Sequence, residues 1–246
     1  MTYCVGLMLN EGLVLLSDTR TNAGIDNIAS YRKTFSFEAP GERAIVIMTA
    51  GSLSVTQTVI SKLQEAIEDP DATPSTSIME ATGMLGVAEI VGNMLATVSS
   101  DIQNKMNSMQ QSATASMIVA GQRKGGTPRM FLIYPEGNFI EATDDTPYIQ
   151  IGEHKYGKPI LDRVLSPETP LNEGRLVVLL SMDSTLRSNL SVGMPLDLTV
   201  IKTDDYKISE QQRIDEHDDE FRALSEEWSD ALRDSFARIR NTMIED

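Results

Sequence analysis

The second residue of the sequence, Thr2, offers the clearest chemistry in the chain. If Met1 is removed, Thr2 carries a hydroxyl and a free α-amine on the same residue. An α-amine has a pKa of about 7.7–8.0, so near neutral pH it can accept the hydroxyl proton as the oxygen attacks a carbonyl. We therefore predict that Thr2 is a nucleophile whose own amine acts as its general base.

A predicted β-hairpin brings an aspartate close to this threonine. Two apolar segments at the start of the chain are separated by the turn Asn10-Glu11-Gly12. A three-residue loop with Gly12 in the left-handed conformation is a favoured hairpin connection. It would pair Thr2 with Arg20 and place Asp18 diagonally on the same face, about 7–8 Å away at the backbone. A two-residue loop would put Thr2 and Asp18 on opposite faces, so we predict the three-residue loop.

Lys33 is a third residue that could take part in this chemistry. In a predicted strand at 31–37 it shares its parity with Phe35 and Phe37, which are expected to face inward. An inward lysine would bring an ammonium among buried groups. An edge lysine would instead cover apolar surface with its stem, and periodicity alone leaves both interpretations open.

Hydrophobic periodicity divides the chain into alternating groups of strands and helices. The predicted strands are 2–9, 13–19, 31–37, 44–50, 115–123, 129–134, 138–142, 148–151, 197–202 and 206–209, and the predicted helices are 52–69, 77–107, 156–165, 171–188 and 215–243. The first two strands are apolar at both parities, which indicates a sheet covered on both faces. This order predicts an α+β fold with two stacked sheets between helix layers, a four-layer αββα sandwich.

The last predicted helix is an addition to this sandwich. It carries an apolar stripe, while its other faces hold many acids and a few arginines. Those faces are either a solvated outer surface or part of a docking helix. We predict an αββα domain at 1–210 and a C-terminal helical extension at 211–246, packed on the domain or on a neighbouring subunit.

Length and charge restrict the classes of partner. The 246 residues suit one large domain or two small ones, and the net charge is −15. Nucleic acids and anionic membranes bind basic surfaces, so we expect neither as a partner. The longest apolar stretch, 78–102, contains three acids and indicates a buried helix of a soluble protein rather than a membrane span.

Cysteine and histidine content restrict the compartment and the cofactors. With one cysteine the chain forms no internal disulfide, and Cys4 is better explained as a small hydrophobic strand residue than as a nucleophile. No basic segment or cleavage site precedes the first strand, so we expect a cytoplasmic protein without a secretory signal. The two histidines are scattered and no phosphate-binding glycine loop is present, so we predict no metal and no cofactor.

Four segments together resemble the proteasome β subunits, which are N-terminal nucleophile hydrolases with the αββα fold. The segments are Thr2, Ser17-Asp18-Thr19-Arg20 at the end of the second strand, Lys33 in the third strand, and Thr49-Ala50-Gly51 at the end of the fourth. The opening Thr2-Tyr3-Cys4-Val5-Gly6 and the acidic C-terminal helix are most similar to the bacterial group called Anbu, the proposed ancestral β subunit. The resemblance covers nearly the whole chain.

The resemblance implies a role for each matched residue. Thr2 would be the nucleophile, and Asp18 and Lys33 would form a buried ion pair with the ammonium near the threonine oxygen. Such pairing would explain an inward lysine. The N–H of Gly51 would donate to the oxyanion, an interaction worth about 3–4 kcal/mol. Thr49 and Asn22 would line the groove that binds the substrate backbone and its first side chain.

Two segments depart from the family pattern. Where the family has Gly-Ser-Gly, with the serine beside the nucleophile, this chain reads Ile151-Gly152-Glu153-His154. The family motif Asp-x-x-Ser-Gly becomes Ser188 to Gly193, in which Ser191 matches the serine and Ser188 replaces the aspartate. His154 could substitute for the missing serine, although a surface position is the more common one for histidine. These changes predict weak activity or an unusual substrate.

Three functions are compatible with these residues. The first is a threonine peptidase that cleaves peptides or proteins through an acyl-enzyme, in a self-assembled homo-oligomeric ring or open spiral. The second is an amidohydrolase of the same class acting on small amides. The third is a catalytically idle scaffold subunit. Any ATP dependence would come from a separate unfoldase partner, because the chain has no phosphate-binding loop.

Overall fold

A computed structural model describes residues 2–22, 28–106 and 113–244, apart from the side chains of the residues at 22, 106 and 244. The strands are β1 (Tyr3–Leu9), β2 (Gly12–Asp18), β3 (Arg20–Asn22), β4 (Ile28–Ser30), β5 (Thr34–Ala39), β6 (Arg43–Gly51), β7 (Ala115–Arg123), β8 (Arg129–Ile133), β9 (Phe139–Glu141), β10 (Tyr148–Gly152), β11 (Leu196–Lys202) and β12 (Glu210–Ile214). The helices are α1 (Leu53–Glu68), α2 (Met84–Met106), α3 (Lys158–Val164), α4 (Leu171–Ser188) and α5 (Asp219–Ile244).

Two five-stranded antiparallel sheets are stacked between two pairs of helices. The first sheet has the order β10-β1-β2-β11-β12 and the second has the order β5-β6-β7-β8-β9. One apolar core lies between the sheets and includes Cys4, Leu15 and Met48. Two further cores pack the outer faces of the sheets against α1 and α2 and against α3 and α4. Each sheet is thus buried on both faces, and the predicted αββα sandwich is confirmed.

The β1–β2 hairpin has a different register from the predicted one. Leu9 pairs with Gly12, so Asn10 and Glu11 form a two-residue turn and the prediction of a three-residue loop is wrong. Gly12 is instead the first residue of β2, with φ 147°. A Cβ atom at Gly12 would lie 2.1 Å from the carbonyl oxygen of Ile201 in β11. The glycine is therefore required by the close approach of β11 rather than by the turn.

The end of the sandwich also differs from the prediction. The strand expected at 206–209 is wrong, because Asp204 and Tyr206 have positive φ angles of 66° and 49° that interrupt an extended chain. The last strand is β12, which pairs with β11 from Leu196 to Val200. Residues 211–214 consequently belong to the first sheet rather than to the predicted extension. Similarly, α2 begins at Met84 and not at 77, and turns occupy the segment before Gly83.

Helix α5 packs on the domain through its first turns. Phe221 is buried in the core beneath α4. The hydroxyl of Ser225 donates to Asp183 over 2.6 Å and accepts from Arg187 over 2.7 Å, which joins α5 to α4. Further along the helix the apolar side chains are exposed, namely Leu232, Phe236, Ile239 and Met243. Within one chain, the amphipathic stripe is therefore only partly covered. In the described ranges, helices with the length and hydropathy to cross a bilayer are absent.

Candidate active site

A buried ion pair forms the centre of the site. Asp18 is the last residue of β2 and is fully buried, while Lys33 lies just before β5 and is 5% exposed. The Nζ atom of Lys33 lies 2.7 Å from Oδ1 of Asp18 and also donates to the carbonyl oxygen of Arg20 over 2.7 Å. The ion pair therefore joins the segment before β5, in the second sheet, to the end of β2, in the first sheet.

The buried position of Lys33 has a different cause from the predicted one. Phe35 and Phe37 pack towards α1 and α2. Lys33 precedes β5, so the parity of that strand does not determine its direction, and its side chain reaches Asp18 instead. The inward interpretation is right and the edge interpretation is wrong, but strand parity is not the reason.

Two backbone N–H groups complete the surroundings of Asp18. Tyr3 donates to Oδ1 over 3.0 Å and Gly193 donates to Oδ2 over 3.2 Å. Burial raises the pKa of the Asp18 carboxyl above its ordinary value, and the Lys33 ammonium and the two N–H groups oppose that rise. A buried charged pair is tolerated only when its remaining hydrogen-bonding capacity is satisfied. The two N–H donors satisfy the Asp18 carboxylate and fix its orientation, and the carboxylate in turn fixes the position of the Lys33 ammonium.

Asp18 is related to Thr2 through the cavity that Lys33 and Thr2 both line, rather than through strand pairing. Cys4 pairs with Ser17, so one step further Tyr3 lies opposite Asp18, and the predicted diagonal relation of Thr2 and Asp18 is wrong. Thr2 is 8% exposed, and it lines the same cavity as Lys33. Lys33 thus belongs both to the ion pair and to the lining of the cavity that contains Thr2.

This cavity has a volume of about 410 Å³ and brings together most of the predicted site residues. It is lined by Thr2, Thr21, Arg32, Lys33, Thr49, Ala50, Gly51, Leu53, Thr56 and Gly152. Ser191 is not among these residues, and its backbone N–H donates to Oδ1 of Asn189 over 2.9 Å. The side chain of Asn22 lies outside the described part of the chain. The structure therefore assembles Thr2, Lys33, Thr49 and Gly51, with Asp18 directly behind Lys33.

Gly51 ends β6 at the cavity wall in a conformation that favours glycine. Its φ is 114°, and a Cβ atom there would lie 2.4 Å from the carbonyl oxygen of Thr114. The neighbouring strand β7 thus presses directly on the backbone of Gly51, which pairs with Ala115. Any side chain at this position would have to displace backbone at the wall of the cavity.

We expect Gly51→Ala to lower the free energy of unfolding by about 2–3 kcal/mol, because it adds a backbone clash to a strained φ. Gly41→Ala is the matched control, since Gly41 has φ 82° and nothing within 4 Å of the added Cβ. The control should lose only about 1 kcal/mol. Urea unfolding measures both changes. Equal losses in the two variants would contradict the close approach of β7.

The main chain of Thr2 is held by the residues that follow β10. The N–H of Glu153 donates to the carbonyl oxygen of Thr2 over 2.6 Å. Gly152 has φ 82°, and a Cβ atom there would lie 2.0 Å from the same oxygen. Glu153 is only 9% exposed. Sequence reasoning noted the unusual segment but gave Glu153 no role, and an acid in place of a serine was the only signal.

Sequence reasoning missed two further residues, namely Asn189 in the loop after α4 and Arg20 in β3, which contacts that loop. Asn189 is 9% exposed and donates from Nδ2 to Oε2 of Glu153 over 3.1 Å, whereas Ser188 is exposed. The guanidinium of Arg20 donates to the carbonyl oxygen of Leu190 over 2.9 Å and packs against Gly193. Arg20 therefore fixes the loop that supplies the Gly193 N–H to Asp18. Its place in the Ser-Asp-Thr-Arg motif did not indicate this contact.

The remaining reactive side chains near the site lack the features of a nucleophile or a ligand. Cys4 is fully buried in the core between the sheets, and burial raises the pKa of its thiol, in agreement with a role as a small hydrophobe. His154 is exposed, as expected. Among the described residues there is no group of three or more histidine, cysteine or acidic side chains that could hold a metal ion.

The arrangement is suited to acyl transfer. It offers a nearly buried hydroxyl, a charged lysine fixed by a buried aspartate, and a glycine backbone on the wall of the same cavity. Such groups can respectively attack a carbonyl, assist proton transfer and stabilise an oxyanion.

Comparisons with known proteins agree with the fold and the order of the motifs. The model of a family described as "Proteasome subunit" matches residues 2–201. A curated relative, the proteasome subunit beta of Haloquadratum walsbyi, is 23% identical over 217 residues, which is 87% of this chain and 79% of that protein.

Three solved structures are similar over nearly their full length. Anbu (ancestral beta-subunit) from Yersinia bercovieri is 44% identical with a TM-score of 0.89, covering 96% of both chains. Anbu from Hyphomicrobium sp. strain MC1 is 48% identical with a TM-score of 0.86, covering 96% of this chain and 97% of that one. A helical assembly of the Anbu complex from Pseudomonas aeruginosa contains a chain that is 45% identical, with a TM-score of 0.90 and 96% of both chains covered.

Proposed function

Because the chain belongs to the proteasome subunit family and, within it, to the Anbu group, we propose that it is a threonine peptidase with Thr2 as its nucleophile after removal of Met1. The observation that carries the proposal is that Thr2 and Lys33 line one cavity while Lys33 is ion-paired to the fully buried Asp18. An ammonium held in this way next to a hydroxyl lowers the energy of the alkoxide that develops during attack.

The reaction proceeds through an acyl-enzyme in two steps. The Thr2 α-amine takes the proton of Oγ1 as this oxygen attacks the carbonyl carbon of the substrate amide. The resulting oxyanion accepts a hydrogen bond from the N–H of Gly51. The protonated α-amine of Thr2 then gives its proton to the leaving amine as the C–N bond breaks, and the acyl group remains as an ester on Thr2. The same amine then takes a proton from a water molecule as this water attacks the ester carbon. The bond between the acyl carbon and Oγ1 breaks, the proton returns to Oγ1, and the acid is released.

The same cavity provides the proposed substrate-binding surface. Thr49 and Thr21 line it with polar groups, and Leu53 contributes an apolar surface. An extended peptide can be hydrogen-bonded by the backbone there, while its first side chain enters the cavity. Asn22 belongs to the proposed groove through its position in β3, next to Thr21. Ser191 contributes to the proposed site indirectly, because its backbone N–H donates to the side chain of Asn189 in the same loop.

We further propose that the chain works as a homo-oligomer in the cytoplasm. The similar Pseudomonas aeruginosa chain is described in a helical assembly, which favours a spiral over a closed ring. The exposed apolar residues along α5 are compatible with contact to a neighbouring subunit. Unfolding of protein substrates, if ATP-driven, would come from a separate partner.

The proposal is tested at the N-terminus of the protein purified from its native host. Intact-mass measurement should show a chain beginning with Thr2, and a β-lactone or boronate probe should modify that residue only. A chain that keeps Met1 and resists the probe would exclude the peptidase and favour an idle scaffold. Modification without cleavage of a peptide library, but with cleavage of small amides, would instead favour the amidohydrolase.

A further inference from the structure

Glu153 lies directly across from Thr2, one residue beyond the paired ends of β1 and β10. Tyr3 pairs with Gly152 in the antiparallel β1–β10 ladder, so the next residues in register are Thr2 and Glu153. The 2.6 Å hydrogen bond from the N–H of Glu153 to the carbonyl oxygen of Thr2 continues that ladder by one step. The backbone of Glu153 is thus fixed to the residue that provides both the hydroxyl and the α-amine.

The carboxylate of Glu153 is buried among neutral donors. The residue is 9% exposed, Oε1 accepts from the N–H of Lys155 over 3.0 Å, and Oε2 accepts from Nδ2 of Asn189 over 3.1 Å. The ion pairs found among the described residues all involve other carboxylates. A buried carboxylate without a cation is unfavourable, so this position is suited to receiving one.

Asn189 holds this carboxylate in a defined direction. Its Oδ1 accepts from the N–H of Ser191 over 2.9 Å, and its own N–H donates to the carbonyl oxygen of Thr185 in α4 over 2.9 Å. Asn189 is therefore fixed through its side-chain oxygen and through its backbone N–H, and its Nδ2 donates to Glu153. The same loop gives the Gly193 N–H to Asp18. Glu153 and Asp18 are consequently both anchored by residues 189–193.

We propose that Glu153 is a positioning residue that accepts a hydrogen bond from the α-amine of the processed Thr2. This proposal rests on the proposed function. The carboxylate holds the amine so that its lone pair faces Oγ1, and it stabilises the ammonium that forms when the amine takes the proton. The serine that the family has at this place is neutral, whereas Glu153 supplies a full negative charge.

Other charged groups around the amine come from three segments. Lys33 and Arg32 precede β5 and line the cavity, Asp18 at the end of β2 is neutralised by Lys33, and the guanidinium of Arg20 faces the 189–193 loop. The segment of α1 in the cavity wall contributes Leu53 and Thr56, which are uncharged. Because Asp18 and Lys33 neutralise each other, Arg32 is the cation of the wall that disfavours an ammonium, and Glu153 opposes it.

The experiment titrates the Thr2 amine directly. A full-length chain released from a cleavable N-terminal fusion, so that Thr2 is its first residue, is acylated with acetic anhydride at a series of pH values. Mass spectrometry follows the modification of Thr2. In Glu153→Gln the midpoint pH for acylation should fall by about one unit, because a carboxylate close to an amine favours its charged form. Glu153→Asp keeps the charge and should stay closer to the unchanged protein.

Controls separate this role from general effects. Glu136→Gln removes one charge from the exposed turn before β9 and should leave the midpoint unchanged. If Glu153→Gln does not fold, as judged by its unfolding transition, Asn189→Ala provides the second variant and should lower the midpoint by a smaller amount. For peptide hydrolysis, Glu153→Gln should reduce kcat at least tenfold with little change in KM.

An unchanged midpoint in a folded Glu153→Gln chain would overturn the proposal. So would a lower midpoint in Glu153→Asp than in Glu153→Gln. Because acylation needs only an accessible amine, these outcomes do not depend on peptidase activity. A protein that shows the midpoint shift but no hydrolysis would retain the role of Glu153 in amine positioning while the proposed function fails.

Discussion

Replacing Thr2 with alanine is expected to reduce peptide hydrolysis by about four orders of magnitude or more, since loss of a nucleophile leaves only binding and oxyanion stabilisation. The change removes the hydroxyl together with the Cγ2 methyl group, and the α-amine, Lys33 and the cavity-lining residues remain. Initial rates with a fluorogenic peptide library measure the loss. Probe labelling at the N-terminus should disappear in parallel.

Two further variants show whether the loss is specific to the nucleophile. Thr2→Ser keeps both the hydroxyl and the amine and should keep measurable activity. Thr21→Ala removes another threonine hydroxyl from the same cavity wall and should change KM more than kcat. Subunit assembly, followed by size-exclusion chromatography, should be the same in all three. Hydrolysis that persists in Thr2→Ala would mean that another group carries out the reaction.

Replacing Lys33 with methionine is expected both to abolish hydrolysis and to lower the free energy of unfolding by about 3–5 kcal/mol. Removing one member of a buried pair leaves the other charge uncompensated. Asp18 is fully buried, and Lys33 is its only cationic partner among the described ion pairs. Chemical denaturation measures the loss of stability, and probe labelling measures the loss of reactivity at Thr2.

The matched control for this change is Lys158→Met. Lys158 also forms an ion pair at 2.8 Å, with Asp162, but both side chains are 47% exposed. Exposed pairs contribute about 0–1 kcal/mol, so the control should be nearly as stable as the original chain. In the double variant Asp18→Asn/Lys33→Met much of the lost stability should return, because no charge remains buried, while hydrolysis stays absent. Similar destabilisation by Lys33→Met and Lys158→Met would contradict the burial of the pair.

The layered architecture could be predicted from the sequence because it depends on local pattern. Strands such as β7 and helices such as α4 have strong periodicity, and their predicted ranges match the structure. The apolar residues at both parities of β1 and β2 required covered faces, and the structure has them. Family membership was also recognisable, because several short motifs occur in the expected order.

The errors concern contacts between distant parts of the chain. The local sequence indicates a turn at Gly12, because it contains no information about the close contact with Ile201 in β11, which is far away in sequence. Strand parity left both the inward and the edge interpretation of Lys33 open, and its direction depends on Asp18 rather than on the parity of β5. Periodicity has no information about such partners, since it describes only one element at a time.

The candidate site was only partly predictable for the same reason. Thr2, Lys33, Thr49 and Gly51 line one cavity, as the matched motifs suggested, and their catalytic roles remain predictions. Motif spacing pointed to Ser188 and Ser191, whereas the buried polar contact to the β10 segment is made by Asn189. The position of a side chain in a loop depends on tertiary hydrogen bonds that spacing does not specify.

The hydrogen bond between Gly193 and Asp18 joins residues 175 positions apart, and this separation has a consequence for synthesis on the ribosome. At about 5–20 residues per second, roughly 10–35 s pass between translation of these two residues. Until residues 148–152 are made β1 has no β10 beside it, and throughout the interval β2 has no β11, so the nascent hairpin first exposes two unpaired edges and then one. The emerging polypeptide is therefore most vulnerable to aggregation early, while the surroundings of Asp18 are completed only after Gly193 of the 246 residues has been made.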